Sequence, residues 1–215
     1  MNWFKGCGVV PADIVFILDS SGSVGLPNFK KMLDFVKGMV NGFDVGPTGA
    51  HIGVVTFSSK PHLEFHLNKY TDKAKTIQGI SNIQYISGGT NTADALKYAR
   101  LTSFLTANGA RGAASKIAIV ITDGKSQSPP ATAAEAQRLR DQGITVFSVG
   151  VGSGPNLPEL NSMATDPNNQ HVFVVTNFDA LKQIKGTLAQ KACEGIYTHH
   201  LYGSMPKLCV YNVWI

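Results

Sequence analysis

The sequence lacks the features that mark several classes of protein. It has no run of about 18 apolar residues, so no membrane-spanning helix is predicted. Three cysteines in 215 residues are too few for a small disulfide scaffold, and the 22 glycines show no collagen-like triplet period. The first ten residues lack the apolar segment of a secretory signal, so we expect either a cytosolic protein or a piece of a longer secreted one.

The composition is that of a folded domain of ordinary size. Apolar residues make up 43% of the chain and charged residues only 15%, which argues against disorder. The net charge is +5, but the lysines are scattered along the sequence and are expected on the solvent-exposed faces of helices. Since no dense basic stripe with interleaved aromatic residues is present, a nucleic-acid partner is not expected, nor is insertion into a membrane.

Apolar runs alternate with helical patterns along most of the chain. The runs Ile14–Leu18 and Ile117–Ile121 are continuous, which is typical of strands buried on both faces. The stretch Pro61–Leu67 instead alternates apolar and polar residues, which indicates an edge strand in a hairpin. We therefore predict six strands, at 14–18, 51–57, 61–67, 117–121, 144–151 and 172–176.

Helices are predicted between these strands from apolar spacings of three and four and from capping residues. Thr71-Asp72, Thr92 and Ser128 are the expected caps of three of them, and the last helix is expected over 178–192. This alternation predicts an α/β fold with a mostly parallel, doubly wound sheet covered by helices on both faces. We assign residues 1–11 to an extension, 12–194 to the domain and 195–215 to an irregular tail, for which the pattern indicates no role.

Oxygen-bearing side chains follow two central strands and begin a nearby helix. Asp19, Ser21 and Ser23 follow the first strand, Asp123 follows the fourth, and Thr90 lies in a glycine-rich loop between them. Because ligands bind at the carboxyl ends of parallel strands, these groups are expected to converge. Hydroxyls and carboxylates suit Mg²⁺, Mn²⁺ or Ca²⁺ rather than zinc or copper. Two acids leave such an ion undercharged, so it should attract an anionic group from outside.

Three segments carry a family resemblance. The segments "DIVFILDSSGSVG", "GGTNTADAL" and "IVITDGKSQ" resemble the metal-ion-dependent adhesion site of von Willebrand factor type A domains, above all those of matrilins and collagen VI. The resemblance covers about residues 12–193. It implies a six-stranded sheet of order 3-2-1-4-5-6 with one short antiparallel strand. The stretch Gly150–Leu160 leaves no room for the extra helix of integrin-type domains, which favours the matrix branch.

The resemblance also implies a function for each ligand. Ser21 and Ser23 would bind the ion directly, and Thr90 would do so in the ligand-bound state. Asp19 and Asp123 would act largely through water, and an acidic residue of a partner such as collagen would fill the sixth position. The expected protein is a secreted adhesion module of the extracellular matrix that uses Mg²⁺, or Mn²⁺ or Ca²⁺ in its place.

The pairing of the cysteines would indicate whether the protein resides in an oxidising or a reducing compartment. Because matrix A domains commonly close in this way, the resemblance implies a disulfide between Cys7 and Cys193, which flank the domain and would require an oxidising compartment. The alternative is that both are reduced. Cys209 is left over, and it is free, links two chains or competes with Cys193 for Cys7, so the oligomeric state stays open.

Other functions remain as alternatives. A structural matrix domain would bind partners independently of the metal, and an intracellular A domain would act in a chelatase or transport complex. A magnesium-dependent phosphotransferase would use Asp19 as a nucleophile, but that chemistry needs a second aspartate where this chain has Ser21. No phosphate-binding loop and no recognisable triad histidine are present, so the chain is not expected to be an enzyme.

Overall fold

The core of the molecule is a six-stranded sheet. The computed structural model describes the backbone of residues 11–202 and the side chains of residues 11–192. The strands lie in the order β3-β2-β1-β4-β5-β6, and every neighbouring pair is parallel except β2 with β3. This confirms the predicted fold. The strands are Ala12–Asp19 (β1), Ala50–Phe57 (β2), Pro61–Phe65 (β3), Ser115–Thr122 (β4), Ile144–Val151 (β5) and Val172–Val175 (β6).

Helices cover both faces of this sheet. One apolar core lies under α1, α2 and α7, and a second lies under α3, α4 and α5. In the described part of the chain no helix combines the length and the apolar character needed to cross a bilayer. The helices are Gly25–Val40 (α1), Lys73–Ser81 (α2), Thr92–Tyr98 (α3), Pro129–Asp141 (α4), Leu157–Met163 (α5), Asn168–His171 (α6) and Leu181–Tyr202 (α7).

Strand β1 explains why the sequence shows continuous apolar runs. It pairs with β2 on one side and β4 on the other, and all eight of its residues are buried. Phe16 and Leu18 contribute to the core under α1, whereas Val15 and Ile17 contribute to the core under α3 and α4. A strand with helices on both faces has no polar side, so its carboxylates stand at its ends.

The edge strand departs from the strict alternation predicted for it. Leu63 pairs with Val55 and Phe65 pairs with Val54, so Glu64 is the extra residue of a β-bulge. Leu63 is 39% exposed, while Phe65 is 5% exposed and packs into the core. Because of the bulge, Leu63 and Phe65 do not share one apolar face, as strict period-two spacing would predict.

Helix α7 continues further than predicted. It extends through Tyr202 and so includes eight residues of the stretch 195–215 that was expected to be irregular. A helix that is already nucleated adds residues at little cost, and no proline lies between Gly195 and Tyr202. Residues 1–10 and 203–215 and the side chain of Cys193 lie outside the described residues, so the pairing of Cys7 with Cys193 and the fate of Cys209 stay predictions.

Candidate metal site

Asp19 stands at the carboxyl end of β1 with both of its oxygens held. Its Oδ1 accepts a hydrogen bond from the backbone N–H of Ser21 at 2.8 Å. Its Oδ2 accepts one from the Thr122 hydroxyl, at the end of β4, at 2.6 Å. The side chain is completely buried. The carboxylate is thereby fixed in one orientation between the two central strands.

The two serines connect Asp19 to the second acid. The hydroxyls of Ser21 and Ser23 lie 3.1 Å apart, and the Ser23 hydroxyl donates to Asp123 Oδ1 at 2.8 Å. Asp123 directly follows Thr122, which itself contacts Asp19. The structure therefore brings four of the five predicted residues into one hydrogen-bonded cluster at this sheet edge.

Thr90 reaches the same edge through its loop. The backbone N–H of Gly22 donates to the Gly88 carbonyl at 2.9 Å, and the N–H of Gln127 donates to the Thr90 carbonyl at 3.0 Å. These two bonds tie the Thr90 loop to the loops that follow β1 and β4. Among the described residues, no hydrogen bond joins the Thr90 hydroxyl to the other four side chains, which leaves it available to a ligand.

The Thr90 loop depends on unusual backbone geometry. Ser87 has φ of 60°, a left-handed conformation that few non-glycine residues adopt. Gly88 has φ of 135°, and a Cβ there would lie 3.0 Å from the Ser59 hydroxyl and 3.1 Å from the Ser58 side chain. Only glycine combines a φ of 135° with so little room for a Cβ, so Gly88 places the loop against the sheet edge.

The two carboxylates are electrostatically unfavourable without a cation. Burial raises the pKa of Asp19, and the nearby charge of Asp123 raises it further, while hydrogen bonds from Thr122 and Ser21 oppose the shift. Burial also raises the pKa of Asp123, against the hydrogen bond from Ser23. A bound cation would favour the ionised form of both acids.

The donor chemistry fits a hard cation. No group of three or more histidines, cysteines and acids gathers anywhere in the described chain, and this site holds two carboxylates with three hydroxyls. Such oxygen donors suit Mg²⁺, Mn²⁺ or Ca²⁺, and Mg²⁺ commonly binds through one or two carboxylates with several waters retained.

Sequence reasoning missed supporting contacts around the cluster. The Tyr85 hydroxyl donates to the Ser21 carbonyl at 2.9 Å, and the N–H of Ile86 donates to the Ser20 hydroxyl at 2.9 Å. Both bonds hold the loop after β1 from outside. Nothing in the local pattern around Tyr85 marks it, because the contact joins residues 64 positions apart.

A cavity of about 440 Å³ opens beside the cluster. Asp123 lines it together with Asn28, Thr176 and the loop after β5. That loop spans only residues 152–156, in agreement with the predicted absence of an extra helix. It packs closely, since a Cβ on Gly154 would lie 2.2 Å from the Asp123 carbonyl oxygen. The cavity leaves space next to Asp123 for a group from outside.

The fold and cluster agree with a family comparison. The model of the von Willebrand factor type A domain matches residues 13–187, which is most of the chain. The chain belongs to this family. The matched range includes all five candidate residues and, apart from Ala12, the whole of the described sheet.

The proteins that this chain resembles in sequence are collagens and matrilins of the extracellular matrix. Human collagen alpha-1(XXI) is 38% identical over 190 residues, covering 88% of this chain and 19% of the collagen. Human matrilin-1 is 36% identical over 188 residues, covering 87% of this chain and 37% of the matrilin. The chain thus spans about a fifth to a third of these relatives. They are structural and adhesion proteins rather than enzymes, which agrees with the expectation for this type A domain.

Solved structures include a close match in fold. Proximal thread matrix protein 1 of the mussel byssus, solved with a zinc-occupied metal-ion-dependent adhesion motif, has a TM-score of 0.81 and 34% identity. The match covers 86% of this chain and 48% of the mussel chain. The manganese-loaded TRAP protein of Plasmodium vivax has a TM-score of 0.69 at 20% identity and shares the fold.

Proposed function

We propose that this type A domain binds a protein partner in the extracellular matrix through a divalent cation held by Asp19, Ser21, Ser23, Thr90 and Asp123. The observation that carries the proposal is the hydrogen-bonded cluster that connects Asp19 to Asp123 through Ser21 and Ser23. The zinc-occupied motif of the mussel relative supports a cation at this type of site, and Mg²⁺ is the ion that we propose here.

The chemistry of the cluster defines the partner. The cation supplies an open coordination position that attracts an anion. The three hydroxyls that would bind the ion directly are neutral, and the two carboxylates would act largely through water. A carboxylate from outside would therefore be the charged group in direct contact with the ion. The cavity beside Asp123 gives a partner's aspartate or glutamate a route to it. A collagen is the proposed partner, since the relatives include collagens and matrilins.

Titration calorimetry with Mg²⁺, Mn²⁺ and Ca²⁺ tests the site. The wild-type chain should bind at least one of them, and Ser21→Ala should weaken binding by about tenfold or more because a direct oxygen ligand is lost. Thr106→Ala is the matched control, because it also removes a hydroxyl, and Thr106 is exposed in the turn Thr106–Asn108, outside both the cluster and the cavity beside Asp123. Absence of cation uptake by the folded wild-type chain would overturn the proposal.

Solid-phase binding to immobilised collagen tests the partner. Binding should require the cation, should be lost in EDTA, and should be abolished by Asp19→Ala but kept by Thr106→Ala. Binding that persists unchanged in EDTA would instead assign the domain a metal-independent structural role.

The proposal includes an extracellular location and a disulfide. The domain boundaries 12–194 place Cys7 just before the domain and Cys193 at its end. A disulfide between them would close the domain in an oxidising compartment. Mass spectrometry of the non-reduced protein should detect a peptide that contains both residues; two free thiols in secreted material would contradict this part.

A further inference from the structure

One face of the sheet carries nearly all of the excess positive charge. This surface, called the lysine face below, consists of α1, α2 with its cap Asp72, and residues 178–192. It contains eight cations, all of them lysine, and three acids. The lysines are Lys30, Lys31, Lys37, Lys73, Lys75, Lys182, Lys185 and Lys191, and the acids are Asp34, Asp72 and Asp179.

The opposite face has no excess charge. Helices α3, α4 and α5, with the π-helical turn Ala99–Ser103 after α3, contain four cations and four acids. Several of them form ion pairs, among them Arg100 and Arg138, which both contact Glu135. Since the two sets of helices cover different cores, the asymmetry belongs to opposite sides of the molecule. The net charge of +5 is therefore concentrated on one side.

The lysines of α1 and α7 line a shared groove. The two helices approach closely at Gly38, where a Cβ would lie 2.9 Å from Lys185 Cδ. A groove of about 220 Å³ between them is lined by Lys31, Lys182 and Lys185, and also by Asp34 and Asp179. Both acids are engaged, because Asp179 pairs with Lys31 at 2.7 Å and Asp34 pairs with Lys37 at 2.8 Å.

Other lysines of this face extend into solvent. Lys30 and Lys182 are exposed, and the side chain of Lys75 is 72% exposed. Lys30 and Lys37 stand about 10 Å apart along the α1 axis, at 1.5 Å per residue. The surface is thus an extended band of positive charge with a groove in it rather than a single point.

The residue types on the lysine face favour some classes of polyanion over others as ligands. All cations of the lysine face are lysines, which act as point charges, whereas arginine is the residue suited to bidentate phosphate contacts. Among the described residues, none of the exposed large apolar side chains is aromatic, so base stacking is not offered. Leu26 is the exposed large apolar residue of these helices, which does not provide the apolar stripe of a membrane-bound helix.

We propose that the lysine face binds a sulfated polysaccharide of the extracellular matrix independently of any divalent cation, at a surface that adjoins the metal site, since its groove shares Lys31 and Asp179 with the cavity beside Asp123. Sulfate and carboxylate groups along such a chain match a band of point charges. Binding would be driven by release of counterions and would weaken as salt rises. The domain would then bind an acidic protein side chain at the sheet edge and a polysaccharide along the adjoining lysine face.

Binding of a heparin oligosaccharide to the full chain, measured across a salt series in EDTA, tests this inference. The double substitution Lys30→Gln with Lys182→Gln should weaken binding by roughly five- to thirty-fold and reduce the slope of log affinity against log salt by about two. The matched control is Lys97→Gln with Arg138→Gln, which removes the same two charges from exposed positions on the opposite face. The control should bind as the wild type does.

Three outcomes would overturn the inference. Equal weakening by both double variants would show that only total charge matters. Loss of wild-type binding in EDTA would assign the effect to the metal site. Binding of duplex DNA as tight as that of heparin at the same salt concentration would remove the polysaccharide as the specific partner. Circular dichroism of both variants confirms that the fold is kept. Because the assay omits divalent cations, its failure is distinguishable from failure of the adhesion proposal.

Discussion

At the scale of single residues, two acids that are wholly or partly buried have different roles. Asp19 is buried at the strand end and is held in one orientation by hydrogen bonds from Ser21 and Thr122. Glu64 is the extra residue of the β3 bulge, and its Oε1 accepts a hydrogen bond from the Thr56 hydroxyl at 2.6 Å. Burial raises the pKa of Glu64, while that hydrogen bond and nearby His62 lower it. At neutral pH the ionised Glu64 carboxylate therefore reduces the stability of the folded protein.

The raised pKa of Glu64 predicts a pH-dependent difference in stability. Because the folded state holds the proton more tightly, the contribution of Glu64 is favourable at low pH and is lost as pH rises from 4.5 through the folded pKa. Glu64→Gln keeps a carbonyl oxygen for Thr56 without the charge. The variant should be more stable than the wild type at pH 7, and the difference should vanish below pH 4.5. Urea unfolding at several pH values measures it, and a difference that does not change with pH would contradict the prediction.

At the scale of elements, the starts of helices show how far local sequence determines structure. Asp72 caps α2 as predicted, accepting from the Lys75 N–H at 2.8 Å. The cap of α3 is Asn91 rather than Thr92, and Ser128 makes no side-chain capping bond at α4. The cap predicted for α3 was therefore one residue too late, and the cap predicted for α4 lacks the expected side-chain hydrogen bond. Several adjacent residues can cap equally well in isolation, and loop geometry selects among them.

The two caps predict a contrast in stability. Asn91 accepts from the Asp94 N–H at 3.3 Å, and its Nδ2 donates to Asp94 Oδ2 at 2.8 Å. Asn91→Ala should reduce the free energy of unfolding by about 1 kcal/mol. Ser128→Ala is the matched control and should change it by less than about 0.5 kcal/mol, because no capping bond is lost. Urea titration of both variants gives the values. Equal losses would mean that the helix starts differ from those described.

At the scale of the whole molecule, the order of the strands was predictable and the grouping of surface charges was not. Continuous apolar runs and two-sided burial determine which segments form central strands, as β1 and β4 show. The candidate cluster followed from where those strands end. The lysine face could not be read from the sequence, because α1 and α7 lie about 150 positions apart and each alone resembles an ordinary solvated helix.

The end of the sheet opposite the cluster is held by a buried ion pair. The carboxylate of Asp13, completely buried at the start of β1, accepts from the Arg111 backbone N–H at 2.6 Å and from Arg111 Nε at 2.8 Å. The same guanidinium donates to the carbonyls of Ala12 and Gly49. Arg111 thereby joins the start of β1 to the segments that precede β2 and β4. The sequence did not indicate this connection.

Loss of Arg111 should destabilise the entire domain. Arg111→Ala removes the guanidinium from the buried Asp13 carboxylate and leaves it the backbone N–H of residue 111, with His51 Nδ1 3.9 Å away, so the free energy of unfolding should fall by about 3–5 kcal/mol. Arg138→Ala is the control, since Arg138 pairs with Glu135 while its own side chain is 58% exposed, and it should cost about 0–1 kcal/mol. Chemical denaturation followed by circular dichroism measures both. A loss of under 1 kcal/mol for Arg111→Ala would show that Asp13 is solvated.

Asp13 and Asp19 stand near opposite ends of β1, about 20 Å apart along a strand that is hydrogen-bonded on both sides. A partner anchored at Asp19 that is drawn away from the sheet edge would apply tension along this strand. The bonds to β2 and β4 would then be loaded in shear, all together rather than one after another. The central position of β1 thus makes the point of attachment the part of the domain best suited to resist mechanical extraction.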